Sequence, residues 1–378
     1  MMKTFGLNSN IRVGAKTLHV QTSFHQDSQI ISASIFDGGE ILDVRELRID
    51  EDILQTQYEQ ELNQFHEYVI SDLELLFSIA DKVNQSRDVP SKKNLGLLFL
   101  NKGFNHEAIE HFKFVREQTS EKEGCNYELG KAYYNTGDFE TALEYLKTAI
   151  IELPHYADIH LLVAKSYKEL GQYKFTINHL QKAISLNNNY HEAYFTYAII
   201  LLESIIDVPK YSRLSDPEER LKESLDYLNQ ALSISKDYNR LVIESVLELF
   251  NEPDKISEVI IHLKQELNSV TKKKKKEIDD SEFYLKFMFA GLDKDNEALD
   301  FYINAVEKSL NLHPDFADLY HSLGKAYLVK AWYFISKSSG AFKNALKKNP
   351  QFARAQKTLT LVENDSKGFL NLLKTILE

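Results

Sequence analysis

The residues best suited to metal chemistry are two pairs of side chains that lie close together in the sequence. One pair is His106 with Glu110, and the other is His155 with His160. A protein zinc site takes three or four ligands, and no third ligand with a recognised spacing lies near either pair. We therefore expect no bound metal ion.

Catalytic motifs are missing from the chain as well. The sequence contains no Gly-rich phosphate loop, no G-x-S-x-G elbow and no Cys-x-x-Cys pair. Its carboxylates are spread among lysines at the i,i+4 spacing that is typical of solvated helix faces. An enzyme would need a cluster of titratable side chains with perturbed pKa values, and the sequence pattern indicates no such cluster. The sequence therefore predicts no cofactor and no catalysis.

One basic run could bind a polyanion. It comprises Lys272–Lys276, which could attract nucleic acid or an anionic membrane. Glu277, Asp279 and Asp280 follow at once, and the whole chain carries a net charge of -11. We therefore expect a solvated loop, and no nucleic acid among the partners.

Composition bounds the compartment and the class of protein. The chain has 378 residues, of which 43% are hydrophobic and 27% are charged, and it has no apolar run long enough to span a membrane. Its first residues lack the apolar core of a secretory signal. A single cysteine, Cys125, excludes an internal disulfide and fits a reducing compartment. The expectation is a cytoplasmic protein, and the many Lys, Asn and Ile residues suggest a bacterial one.

The strongest signal is a period of 34 residues, which is typical of a repeat architecture. The glycines Gly103, Gly137 and Gly171 recur at this interval. A small residue at a helix crossing lets the partner backbone approach closely, and a glycine where a helix ends allows the chain to turn. The pairs that recur at this period are Leu95-Gly96, Leu129-Gly130, Val163-Ala164 and Tyr197-Ala198.

These residues resemble the tetratricopeptide repeat (TPR) family, in which pairs of antiparallel helices stack into a solenoid. The resemblance implies a right-handed helical-repeat fold and a role in protein binding, because members of the family act as interaction scaffolds. The residues that carry the resemblance are Leu129, Gly130, Tyr133, Gly137, Ala142, Leu146, Ala149 and Pro154.

The repeats divide the chain into segments. Residues 89–271 are expected to hold TPR-like repeats with an insertion near 204–219. Residues 272–378 are expected to hold further repeats and C-terminal capping helices. The motif returns there with Leu323, Gly324, Tyr327, Ala345 and Pro350.

The first 88 residues follow different patterns. Residues 1–50 alternate apolar with polar side chains, and Asp37-Gly38-Gly39 between two such runs indicates a β-hairpin. We expect a small antiparallel sheet of three or four strands. Residues 51–88 carry one apolar stripe of helical period. This long helix could cover the sheet, or it could form a dimer seam, so a homodimer through the helix or the sheet is possible. The seam residues, seven apart, are Leu62, Val69, Leu76 and Val83.

The resemblance also predicts where a partner binds. Residues of each first helix that face away from the packing positions would line the concave surface of the solenoid. They mix lysines with aromatic and aliphatic side chains, which would suit an acidic peptide with apolar anchors. These residues are Lys93, Leu97, Asn101, Tyr127, Lys131, Tyr134, Asn135, Leu161, Lys165, Lys168, Phe195, Ile199 and Leu202.

Two binding functions remain open. The first is a non-catalytic scaffold or adaptor that presents this concave face to a protein or peptide. The second is a regulatory module of a bacterial signalling, motility or assembly system, whose N-terminal β module binds a signalling enzyme or a small GTPase.

Overall fold

A computed structural model of the chain shows a small β-sheet followed by helices, and it divides into two compact units. Unit 1 comprises Met1–His111 and Ile278–Glu378, and unit 2 comprises Phe112–Glu277. The structure describes residues 6–14, 16–26, 28–49, 55–86, 88–118, 125–207, 214–249, 253–274, 280–291, 296–312 and 317–377.

The sheet at the start of unit 1 has four antiparallel strands in sequential order. Gly38 and Gly39, with φ of +57° and +94°, form the β3–β4 turn, as a tight hairpin that needs positive φ at both central residues would. The predicted hairpin is therefore present. The strands are β1 (Gly6–Val13), β2 (Lys16–His25), β3 (Ile30–Asp37) and β4 (Glu40–Arg48).

One face of the sheet is covered by the helix α1 (Gln55–Gln85). Its apolar stripe is buried within unit 1, with Leu62, Val69, Leu76 and Val83 at 3% exposure or less. Packing within the chain thus accounts for the stripe, and it does not lie open for a dimer seam. Both nitrogens of His66 on α1 lie 2.8 Å from hydroxyls of the sheet.

A buried carboxylate also ties α1 to its neighbours. Asp72 is 8% exposed and lies 2.8 Å from Arg45 of β4 and 3.1 Å from Lys102, which follows the next helix. Burial alone would raise the pKa of the Asp72 carboxyl. The positive charges of Lys102 and Arg45 have the larger combined effect, so the pKa is lowered. The group is therefore ionised at neutral pH.

The first helical hairpin consists of α2 (Val89–Asn101) and α3 (Asn105–Gln118). Asp88 caps α2 by accepting a hydrogen bond from the Ser91 backbone N–H. Gly103 turns the chain with φ of +81°. A Cβ added there would lie 2.2 Å from the Leu42 carbonyl oxygen of β4.

Unit 2 continues the hairpins. Gly137 and Gly171 have φ of +81° and +69° at the ends of first helices, which confirms the turn role that their period predicts. The helices of the unit are α4 (Asn126–Asn135), α5 (Phe139–Glu152), α6 (Ala157–Glu169), α7 (Tyr173–Leu186), α8 (His191–Asp207), α9 (Pro217–Ile234), α10 (Arg240–Leu249) and α11 (Ile256–Lys274), with a 3₁₀ turn at Pro253–Lys255.

The insertion predicted near 204–219 overlaps the end of α8, which runs to Asp207. Ile205 stands where the earlier repeats have their turn glycine, and α8 continues to Asp207. Residues 208–213 of the insertion lie outside the described part of the chain, as do Lys275 and Lys276 of the basic run. The expected loop is wrong for Lys272–Lys274, which form the end of α11. Arg220 of α9 is 1% exposed and donates to the Ser204 carbonyl at 2.6 Å, which fixes the end of α8.

The C-terminal part of unit 1 differs from the predicted repeat. Residues Ala317–Lys348 form one continuous helix, without the turn that a helical hairpin needs. Ala331 occupies the place of Gly103, Gly137 and Gly171, seven residues after the small residue of the motif. Alanine favours helix and avoids positive φ, so the helix continues. The elements here are α12 (Asp280–Leu285), a π-helical turn (Lys286–Ala290), α13 (Asn296–Leu312), α14 (Ala317–Lys348) and α15 (Ala353–Leu377).

The predicted fold class is confirmed: the chain is mainly α, with repeat hairpins preceded by an antiparallel sheet and a long helix. Within the described ranges, no helix is long and apolar enough to cross a membrane.

Candidate partner-binding face of the repeats

The first helices α4, α6 and α8 of unit 2 carry most of the predicted contact residues. Their positions depend on close packing against the second helices. At Gly130 of α4, an added Cβ would lie 2.5 Å from the Leu146 side chain of α5. Leu146 and Ala142 are fully buried in the same cluster. Glycine at this crossing therefore allows α4 to lie flat on α5, which turns the other side of α4 outward.

That other side of α4 carries a row of partly exposed side chains. Tyr127, Lys131 and Tyr134 are half-buried, and Asn135 is exposed. The Tyr134 ring lies 5.5 Å from the Phe139 ring of α5. This row supplies aromatic surface and hydrogen-bonding groups together.

The lysines of α6 are paired with carboxylates of the next first helix. Lys165 Nζ lies 2.9 Å from Glu192 of α8. Lys168 Nζ lies 3.2 Å from Glu203 of α8 and 3.4 Å from Glu169. Burial opposes the charge of Lys168, but Glu203 and Glu169 outweigh it, and the pKa of Lys168 is raised. Both cations are therefore held by the chain's own carboxylates.

The tyrosines of this face remain neutral phenols. Burial raises the pKa of Tyr134 to about 12, with the charges of Glu169 and Glu203 adding to the effect. Burial also raises the pKa of Tyr127, with Asp158 as the next cause. A neutral phenol can both donate and accept a hydrogen bond.

Four predicted contact residues are buried and offer no open surface in this structure. Leu161 of α6 is 3% exposed because it packs in one cluster with Tyr197 and Leu201 of α8. The other three share a cluster with Ile260 and Leu263 of α11, which lies against α8. They are Phe195 at 0%, Ile199 at 4% and Leu202 at 0% exposure.

The helix that covers α8 has a sequence signal that repeat matching missed. Ile256, Val259, Ile260 and Leu263 recur at helical spacing and are buried. The stretch departs from the repeat motif, so its apolar face was not assigned to the surface of α8. Lys264 of α11 lies 2.5 Å from Glu203 of α8, next to the Lys168 contact.

The remaining predicted residues belong to α2 in unit 1. Lys93 and Leu97 are half-buried there, and Asn101 is exposed. Their own helix is anchored by a 3.0 Å hydrogen bond between the hydroxyls of Ser91 and Tyr284.

The histidine pairs are not gathered into a metal centre. His106, Glu110 and His155 are exposed, and His160 instead lies 3.0 Å from His179, between their Nδ1 atoms. Within the ranges that the structure describes, no three His, Cys, Asp or Glu side chains lie together as metal ligands.

The N-terminal sheet has a second surface of interest on the side away from α1. An open pocket of about 380 Å³ lies there. Glycines at the β3–β4 turn leave space at one end, and Phe36 supplies an aromatic wall. The lining residues are Thr17, His19, Gln21, Phe36, Gly38 and Gly39.

Comparison with known proteins agrees with the repeat assignment. Residues 124–150 match the tetratricopeptide repeat family, and no curated protein matches the chain. A crystal structure of MamA is 20% identical, with a TM-score of 0.36, covering 49% of this chain and 96% of that one. A structure of YrrB, described as a TPR protein with an unusual peptide-binding site, is 16% identical, with a TM-score of 0.35, covering 52% and 97%. Structural similarity at this level carries no argument. The resemblance to TPR proteins is confirmed instead by the family match in α4–α5 and by the helical hairpins.

Proposed function

We propose that the chain is a non-catalytic interaction scaffold whose repeats bind a segment of another protein on the outer side of α4 and α6. The observation that carries the proposal is the row of half-buried side chains Tyr127, Lys131, Tyr134, Lys165 and Lys168. Half-buried aromatic and cationic groups offer area to a ligand while their own positions are fixed.

The structure of α8 supports a helical or extended protein segment as the ligand. The positions of α8 that match Lys165 and Lys168 are Ile199 and Leu202, and α11 covers both of them. On α6 the equivalent positions remain partly open. At α8 the chain covers these positions with its own helix, α11. A helix or extended segment of another protein could cover the equivalent positions of α6 in the same way.

Binding would use a largely preformed surface. The ion pairs of Lys165 and Lys168 hold α6 and α8 together before a ligand arrives. An acidic ligand, as the sequence predicts, would have to share these lysines with Glu192 and Glu203. We therefore propose that apolar contacts and the tyrosine hydroxyls contribute more to affinity than ligand carboxylates.

The alternative is that the N-terminal sheet binds a signalling enzyme or a small GTPase. The observation that favours it is the open pocket beside Phe36. We also propose that the protein is cytoplasmic, because its single cysteine, Cys125, fits a reducing compartment. The many Lys, Asn and Ile residues favour a bacterial source.

Affinity capture from source cells, followed by mass spectrometry, tests the proposal. A ligand of the repeats should be lost with Tyr134→Ala/Lys165→Glu. It should be retained by the matched control Lys174→Glu/Lys182→Glu, which changes exposed lysines of α7.

A second variant separates the alternative. Thr17→Glu/Gln21→Glu places charges beside the pocket on exposed positions of the sheet. A partner that is lost only with this variant would move the binding function to the sheet and contradict the assignment to α4 and α6.

A further inference from the structure

The exposed side of α14 alternates large and small residues. Tyr320, Tyr327 and Phe334 are seven residues apart and are 56%, 48% and 50% exposed. Gly324 and Ser338 are exposed, and Ala331 is half-buried; each lies four residues after one of these rings. Spacings of three, four and seven keep all six residues on one side of a helix.

The glycine in this row has no packing role within the described chain. Gly324 follows Leu323 and precedes Tyr327 as Gly130 follows Leu129 and precedes Tyr133. A Cβ at Gly130 would meet Leu146 at 2.5 Å, whereas a Cβ at Gly324 would meet no described atom within 4 Å. Glycine in an exposed helix interior is less stable than alanine, so this position points to a neighbour that approaches from outside.

The second half of α14 contains the matching surface. Ser338, Phe342 and Ala345 have the spacing of Ala142, Leu146 and Ala149, the positions of α5 that pack on α4. In α14 both halves of a repeat thus lie on one straight helix and cannot fold onto each other. We propose that two copies of the chain pair through antiparallel α14 helices, so that the Gly324 half of each packs on the Ser338 half of the other.

Charge complementarity supports a second copy as the occupant. If Gly324 faces residues 338–342 as Gly130 faces Ala142 and Leu146, Tyr327 lies opposite Lys337 of the second copy. The Tyr327 hydroxyl donates to Glu307 of α13 at 2.8 Å. Lys337 of one copy therefore meets Glu307 of the other, and the two-fold symmetry of such a pair forms this contact twice.

The available area fits a dimer. A buried aromatic side chain covers roughly 150–250 Å², and each ring of the row is about half exposed. Six rings from two copies would contribute roughly 450–750 Å², and the small residues between them extend this toward the roughly 1,000 Å² of a specific interface.

An anionic membrane fits this surface less well. Lys325, Lys343 and Lys347 lie on the side of α14 opposite the aromatic row, at 3.6 residues per turn. Lys330, which flanks the row, is paired with Asp300 of α13. A flat lipid surface could not meet the rings and these three lysines together.

Sedimentation of the full-length protein over a range of concentrations tests the pairing. A species of twice 43.7 kDa is expected. Gly324→Trp should weaken the dimer at least tenfold without unfolding the chain. Gly368→Trp on α15 is the matched control, because an added Cβ at either glycine meets no described atom within 4 Å.

One cysteine introduced at a time tests the antiparallel register. Ala331 lies near the two-fold axis of the proposed pair, so Ala331→Cys should give a disulfide-linked dimer on oxidation. Ser338→Cys should not, because the two copies of residue 338 would lie roughly 18 Å apart along the axis, beyond disulfide reach. The native Cys125 is buried and common to both variants.

Four results would overturn the proposal. They are a 43.7 kDa monomer at every concentration, a dimer unaffected by Gly324→Trp, equal cross-linking through both cysteines, and binding of anionic lipid vesicles by a monomer that depends on Gly324.

Discussion

Gly103 offers a direct test of how the sheet meets the first helical hairpin. Gly103, Gly137 and Gly171 recur at the repeat period and all have positive φ. Only Gly103 also has a backbone atom close to its missing side chain, the Leu42 carbonyl oxygen at 2.2 Å. An added Cβ at Gly137 or Gly171 would meet no described atom within 4 Å. Substitution by alanine at the three positions therefore separates the two effects.

The magnitudes follow from this difference. Alanine in the left-handed region costs roughly 1–2 kcal/mol, and this cost applies to Gly103→Ala and Gly137→Ala alike. At Gly103 the carbonyl of Leu42 must also move by about 1 Å to reach an ordinary contact, and such overpacking costs roughly 1–3 kcal/mol more. We expect Gly103→Ala to lower the free energy of unfolding by roughly 2–5 kcal/mol in total.

The assay must report the two units separately, because Gly103 lies in unit 1 and Gly137 in unit 2. Urea unfolding monitored by the hydrogen exchange of individual peptides reports each unit separately. The single tryptophan, Trp332, adds a fluorescence signal from unit 1. If Gly103→Ala destabilises unit 1 no more than Gly137→Ala destabilises unit 2, the close approach of β4 to Gly103 is refuted.

Three further predictions concern charged groups. Burial lowers the pKa of His111 to about 4, so the unfolded chain binds the proton first and stability falls as the pH drops from 6.5 toward 4. His111 thereby contributes a loss of about 2 kcal/mol in free energy of unfolding at pH 5. The total loss should be smaller by that amount in His111→Phe, which still contains His66, whose pKa burial also lowers. Asp72→Asn removes the buried carboxylate that Arg45 and Lys102 share, although Asp43 and Glu282 still lie within 3.4 Å of these half-buried cations. It should cost roughly 1–3 kcal/mol in urea unfolding, whereas Asp81→Asn on the exposed side of α1 should cost little. Lys165→Glu places two carboxylates together at Glu192 and should cost about 1 kcal/mol or less, because the pair is partly exposed; a larger loss by calorimetry would mean that it disturbs the fold.

Local patterns were sufficient for most of the fold. Asp37-Gly38-Gly39 predicted the hairpin because few residues other than glycine accept positive φ at both turn positions. The apolar stripe of α1 predicted a long helix, but its period fits a sheet-covering helix and a dimer seam equally. The burial of Leu62 and Val69 against the rest of unit 1 is a property of the whole fold, which no single segment encodes.

The candidate site was predicted less completely than the fold. Lys131, Tyr134, Lys165 and Lys168 lie partly exposed, and their role as partner contacts stays a prediction. Phe195 was assigned to the same surface by its place in the repeat, yet it is buried under α11. Repeat position sets the direction of a side chain but not what lies beyond it. A large apolar side chain such as Phe195 is usually buried, so its residue type already indicated that another element covers it.

The turn glycine explains where the repeat pattern stops predicting structure. Gly103, Gly137 and Gly171 each end a first helix, and the chain then folds back. Ile205 and Ala331 take that place in the later motifs, and in both the helix runs on. The packing residues around Gly324 remain, but the turn that would bring them together is lost. A sequence that keeps the packing surface of a hairpin without its turn can satisfy that surface with a second copy of the same helix, which is the physical basis for expecting α14 to pair between copies.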